Sequence, residues 1–176
     1  MRIKNIASRF NLLEIINGFV LIIVNLIPSI FVFKEIKCFL LLIIGVKLNI
    51  FKVFIKSNIA IDRPKNITIG RGVFINRNVY FEGSGKIAIG NSNQIGPNVT
   101  FATSSHDTSN NMQTIIGDIA LKDNVWVGAN SVILQNVVLG PNLVVGAGTI
   151  VTKSFKNCVV AGNPAQIIKH LKHPEN

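Results

Sequence analysis

From Leu121 onward an aliphatic side chain returns at every sixth position: Leu121, Val127, Ile133, Leu139, Val145 and Val151. Two residues before each lies a second column, Ile119, Val125, Ser131, Val137, Leu143 and Thr149, mostly apolar or β-branched. Both columns are expected to face a core. A six-residue period matches neither the 3.6 of a helix nor the simple alternation of a strand. It suits a prism whose sides are short parallel strands and whose corners are tight turns, three sides making one coil of roughly 18 residues. Stacked coils then hydrogen-bond at a spacing of about 4.8 Å and bury their columns against one another. Gly128, Gly140 and Gly146 fall where corners need little bulk or unusual backbone angles.

The earlier half keeps the beat in two phases, Ile69, Ile75 and Phe81, then Ile89, Ile95 and Phe101. The longer step between them, at Gly83-Ser84-Gly85, predicts a corner bulge that the stack absorbs. Between Phe101 and Leu121 the run Thr103-Ser104-Ser105-His106-Asp107-Thr108-Ser109-Asn110-Asn111 has no inward pattern. It predicts a loop over 102–118 thrown out from the prism, the kind of segment that carries function on a rigid scaffold.

Ahead of the repeats, Ile15 to Phe33 carries no charged residue, and a second apolar run covers Phe39 to Val46. The first is long enough to raise a membrane-spanning helix, although Asn25 and Pro28 interrupt it. Lys34, Lys37, Lys47, Lys52 and Lys56 flank these runs. Three placements fit: a helical cap closing the open end of the prism, an anchor lying in a headgroup layer, and a true span. No small-residue cleavage site follows, which argues against a secretory signal. The domain boundaries expected are 1–57 for this cap or anchor, 58–164 for the prism, and 165–176 for a short C-terminal helix and tail.

The chain has 176 residues, 48% of them hydrophobic, and so can bury a sizeable core as one domain. Cys38 and Cys158 offer neither a disulfide framework nor metal spacing, and fit packed thiols in a reducing compartment. The formal net charge of +10 fits anionic lipid, a phosphate-rich cofactor or nucleic acid. A nucleic-acid module is disfavoured, since no basic, aromatic-studded strand face or recognition helix appears. His170 and His173 stand at i, i+3, but two ligands with no third candidate do not make a usual zinc site, and no metal is expected.

The runs Ile119 to Ala129, Val145 to Lys153 and Ala161-Gly162-Asn163-Pro164-Ala165 resemble those of the hexapeptide-repeat acyltransferases, whose coil is a left-handed parallel β-helix. Within them the chain is most similar to the bacterial sugar and surface-polysaccharide O-acetyltransferases related to galactoside and maltose acetyltransferases. The resemblance covers about residues 59–169. It implies acetyl transfer from acetyl-CoA to a sugar hydroxyl of a surface polysaccharide or its lipid-linked precursor. It also implies a homotrimer with the cofactor between two prisms, in the cytoplasm, with possible peripheral contact at the inner face of the bacterial cell membrane.

Such a transfer needs a base, and neutral imidazole suits that role. His106 sits where the family places its catalytic histidine. Ser105, His106 and Asp107 are adjacent in an extended segment and point different ways, so they form no triad, and a direct transfer is expected. Asp107 either orients the imidazole or is simply solvated. By alignment, Asn76 falls on the family's site asparagine, its alternative being an ordinary corner residue. Glu82 falls on an acceptor-binding aspartate, one methylene longer than the pattern has. Ala129, Ala147, Thr152, Lys153, Gln166 and Lys169 match positions lining the coenzyme A groove, with Gln166 where the family has a basic residue, and Trp126 is counted with them as a cofactor-binding candidate. Trp126 either walls the site or packs between coils. Two rival readings remain: an N-acyltransferase acting on an amino-sugar nucleotide, and a non-catalytic scaffold held at a membrane.

Overall fold

The structure is a computed structural model and describes residues 12–29 and 33–171. His173 and Lys172 lie outside the described residues. The repeats wind into a three-sided left-handed parallel β-helix. The first side stacks Ile67–Ile69, Ile87–Ile89, Ile119–Leu121 and Val137–Leu139. The second side stacks Val53–Ile55, Val73–Ile75, Gln94–Ile95, Val125–Val127, Leu143–Val145 and Cys158–Ala161. The third stacks Ala60–Ile61, Tyr80–Phe81, Thr100–Ala102, Val132–Leu134 and Ile150–Val151.

Each six-residue column points inward. Ile133 and Val151 are fully buried on the third side, as are Phe81 and Phe101, whose rings stack at 5.0 Å. The second column includes the buried polar residues Asn93, Ser131 and Thr149. Asn93 meets its needs locally: its carboxamide donates to Lys122 O at 3.0 Å and accepts from Val125 N–H at 2.7 Å. Register fixes the coil lengths. Ile67 pairs with Ile87, a step of 20 residues; Ile87 with Ile119, a step of 32; and Ile119 with Val137, a step of 18. The long coil contains the segment expected as a loop.

The tight corners depend more on asparagine than on glycine. Asn78, Asn98 and Asn130 each sit at φ 59°, in the left-handed region that asparagine tolerates. Their carboxamides form a ladder up one edge, Asn78 donating to Asn98 and Asn98 to Asn130, each at 2.9 Å. Gly128 answers a different constraint, since a Cβ there would stand 2.6 Å from the backbone nitrogen of Ala147 in the next coil.

Two expectations are corrected. The stacking starts before residue 58, with Lys47 paired to Thr68 and Val53–Ile55 to Val73–Ile75. The short C-terminal helix is instead a strand, Gln166–His170, antiparallel to Cys158–Ala161. The last parallel strand leaves an edge of unpaired backbone groups, and a returning strand satisfies them where a helix would not. His170 lies on that strand.

At the other end, α1 (Leu12–Leu26) and α2 (Lys34–Ile43) cover the first coil, with Val24, Cys38 and Leu41 buried against it. Asn25 stands in for a missing coil, donating to Ile59 O and accepting Ile59 N–H, both at 3.0 Å. Lys37 is buried, donates to Ser29 Oγ at 3.1 Å, and has its pKa lowered by burial. Cys38 and Cys158 are both free and buried; burial, with Glu35 nearby, pushes the Cys38 thiol up to about 11. Among the described residues no helix is long and apolar enough to cross a membrane. The outward face of α1 nevertheless exposes Leu12, Phe19, Ile22 and Leu26.

Candidate active site

The extra residues of the long coil leave the edge between the third and first sides as an antiparallel hairpin, Ser104–Asp107 with Gln113–Ile116. His106 pairs in register with Thr114 and is exposed. Its Nδ1 lies 3.0 Å from the carbonyl oxygen of Met112. A carbonyl only accepts, so Nδ1 carries the proton in this contact, and in the neutral ring Nε2 is then the acceptor. The turn that presents the Met112 carbonyl is tight, with Asn111 at φ 48° and Met112 at φ 56°. Asp107 shapes that turn rather than touching the imidazole. Its Oδ1 accepts from Ser109 N–H at 2.9 Å and from Ser109 Oγ at 2.6 Å, and these bonds hold its carboxyl below the usual range.

Glu82 lies at the root of the hairpin. Its Oε2 accepts from Thr103 N–H at 2.8 Å and from the Thr103 hydroxyl, and its Oε1 accepts from Ser104 Oγ at 2.9 Å and from the Ser84 hydroxyl. Burial alone would raise this carboxyl, but bonds from Ser84, Thr103 and Ser104 outweigh it and hold the pKa at about 2. Both oxygens are thus engaged within the chain.

Asn76 belongs to another edge, between the second and third sides. Its N–H donates to Ile95 O at 3.0 Å and its Oδ1 accepts from Arg77 N–H at 2.9 Å. Ala129 and Ala147 stand higher on that same edge, where Gly148 N–H donates to Ala129 O at 2.8 Å. Trp126 projects outward from the second side and is 56% exposed, so it does not pack between coils. It lies in register between Gln94 and Val144, in a shallow depression of about 230 Å³ that Asn124, Asn142 and Leu171 also line. Lys169 and Gln166 are exposed on the returning strand of this second side. Thr152 and Lys153 follow the third side, and the Lys153 ammonium lies 5.6 Å from the centre of the Phe155 ring.

One prism therefore gathers Asn76, Ala129 and Ala147 along one edge, and holds His106, Glu82, Thr152 and Lys153 along another. Residues 118–153 match the bacterial transferase hexapeptide family (six repeats). The fold is similar to that of a hexapeptide-repeat acetyltransferase from Vibrio cholerae O1 biovar eltor solved with acetyl-CoA. The TM-score is 0.84 at 28% identity, covering 96% of this chain and 92% of that one. In its repeats and its fold the chain is similar to the hexapeptide-repeat acetyltransferases. In sequence it is similar to the galactoside O-acetyltransferase of Lactococcus lactis subsp. lactis (strain IL1403), 35% identical over 112 residues, 61% of this chain and 54% of that protein. That of Escherichia coli (strain K12) is 39% identical over 67 residues, 38% of this chain and 33% of that protein. The chain thus spans between a third and about half of the length of these curated relatives.

Ala129 and Ala147 are small corner residues, and Lys153 and Lys169 are exposed cations able to meet phosphates as point charges. Sequence reasoning assigns Glu82 to the acceptor and misses its bracing of the hairpin root, and it misses Gln135 altogether. Gln135 Nε2 donates to the Ser105 hydroxyl. Its only sequence signal is a polar residue at a corner flanking the long coil.

Proposed function

We propose that the protein transfers an acetyl group from acetyl-CoA to a sugar hydroxyl of a bacterial surface polysaccharide or its lipid-linked precursor. His106 acts as the general base. The observation that carries this reading is the His106 ring on its hairpin, Nδ1 bonded to a backbone carbonyl and Nε2 left to accept a proton. The acceptor oxygen attacks the acetyl carbonyl carbon as Nε2 takes its proton. The tetrahedral intermediate then collapses with cleavage of the C–S bond, and the thiolate leaves and takes up that proton. No acyl-enzyme is needed.

The separation of His106 from the Asn76–Ala147 edge supports a homotrimer, in which His106 of one subunit faces the second-side groove of its neighbour around Trp126. A flat prism side gives no cleft by itself, and two apposed sides do. A monomer by light scattering that still turned over acetyl-CoA would refute the trimer. The apolar outer face of α1 and the net charge of +10 support a cytoplasmic protein in peripheral contact with the anionic inner face of the cell membrane. That location suits a lipid-linked acceptor.

The test is incubation with acetyl-CoA and a panel of cell-surface glycans, lipid-linked repeat units and amino-sugar nucleotides, reading thiol release and mass gain. One added acetyl on a glycan hydroxyl is expected. Acetylation of an amine alone would make the protein an N-acyltransferase, and no thiol release with any acceptor would favour the scaffold.

A further inference from the structure

We infer that Glu82 is a positioning residue for His106 and not a ligand of the acceptor sugar, an inference that rests on the acetyl-transfer reading above. The hairpin carrying His106 leaves the prism through Thr103, Ser104 and Ser105, and each of the three is held by a side chain from the rigid coils. Thr103 gives both its N–H and its hydroxyl to Glu82 Oε2, and Ser104 gives its hydroxyl to Oε1. Ser105, the residue before His106, is held from the next coil by Gln135. Thr103 is itself fully buried, its hydroxyl also accepting Gly85 N–H at 3.1 Å and its carbonyl accepting Gly117 N–H at 2.9 Å. Glu82 thus joins the exit of the hairpin to its return through one threonine.

The consequence is geometric. Each carboxylate oxygen already accepts two hydrogen bonds from Ser84, Thr103 and Ser104, which leaves Glu82 little capacity to bind a sugar hydroxyl. The hairpin pairs mostly with itself, so its angle to the prism depends on this anchor. A base displaced by about 1 Å loses on the order of 10²-fold in rate.

The experiment compares Glu82→Ala, Glu82→Gln and Gln135→Ala in the full chain by steady-state kinetics and amide hydrogen exchange. In Glu82→Ala, kcat is expected to fall about 10- to 100-fold, with KM for acetyl-CoA and for the acceptor within about twofold of wild type. Exchange of the hairpin amides should rise about tenfold or more while the prism core stays protected. Glu82→Gln should recover most of kcat: its oxygen faces Thr103, and its amide donates to Ser84 and Ser104, whose hydroxyls turn to accept. Gln135→Ala reaches the same stem from the other side. It should lower kcat at constant KM by a smaller factor, which tests the clamp even where Glu82→Ala folds poorly.

A raised acceptor KM in both Glu82 variants, with unchanged hairpin exchange, would overturn the inference and return Glu82 to the acceptor site. Unchanged kcat and exchange in Glu82→Ala would overturn it too. If the wild type transfers no acetyl group, the enzymatic reading fails, while accelerated exchange confined to the hairpin still upholds the clamp.

Discussion

Asn25→Ala should open the closed end of the prism. An interior strand pairs its backbone with the coils on both sides, as Val73–Ile75 does with Val53–Ile55 and with Gln94–Ile95. Ile59 has no coil beneath it. The Asn25 carboxamide takes the place of that coil, and Ile59 is only 3% exposed. Alanine leaves one buried donor and one buried acceptor unpaired, at about 1–3 kcal/mol each, or about 2–6 kcal/mol together. For a chain of this size about 1 kcal/mol moves the melting temperature by about 2–4 °C, so a drop of the order of 10 °C is expected. The assay is a thermal melt followed by circular dichroism at fixed protein concentration, because any assembly makes the midpoint concentration-dependent. Asn25→Asp sharpens the test. Its protonated form restores the donor, whereas its ionised form sets an oxygen against Ile59 O and raises the folded-state pKa above the unfolded value near 3.9. Its stability relative to wild type should therefore be best below the unfolded pKa and be lost as pH rises through the folded pKa. A melt of Asn25→Ala within about 2 °C of wild type, or an Asn25→Asp deficit independent of pH, would refute the account of the cap.

Three further outcomes follow from the geometry. Gly85→Ala would place a Cβ 2.4 Å from the Gly117 carbonyl oxygen at the hairpin root, and should cost about 1–3 kcal/mol in chemical denaturation; an unchanged midpoint contradicts this. The depressed Glu82 pKa predicts that its anchoring is fully present above the unfolded value near 4.3 and lost as pH falls through about 2, readable from the carboxyl resonance in an acid titration. Trp126 is the only tryptophan and is exposed, so its fluorescence should change on titration with coenzyme A; a flat response would remove the second side from the groove.

The prism was legible because its period is enforced by burial. Columns such as Phe81–Phe101–Ile133–Val151 must all turn inward, and a slip of one residue would expose each of them. The corners were less legible, since a left-handed turn and a close backbone approach both invite small residues. The asparagines at 78, 98 and 130 take the turn, and Gly128 the approach. The C-terminal strand escaped because all of Gln166–His170 is exposed, so no burial pattern marks it; its pairing is dictated by the edge of Cys158–Ala161. At the site, position along the chain singled out His106 but not its surroundings. Which edge a residue occupies depends on the insertions at Gly83–Gly85 and at the hairpin, and the Met112 carbonyl and the Glu82 clamp are contacts of folded backbone.

The most direct measurement is the rate of thiol release from acetyl-CoA, with a glycan acceptor, by wild type and by His106→Ala of equal helical and strand content. The account predicts a fall in kcat on the order of 10²–10⁴, about 2.7–5.4 kcal/mol of barrier, with the melting temperature unchanged. A His106→Ala protein that transfers acetyl groups at a rate near that of wild type would contradict it.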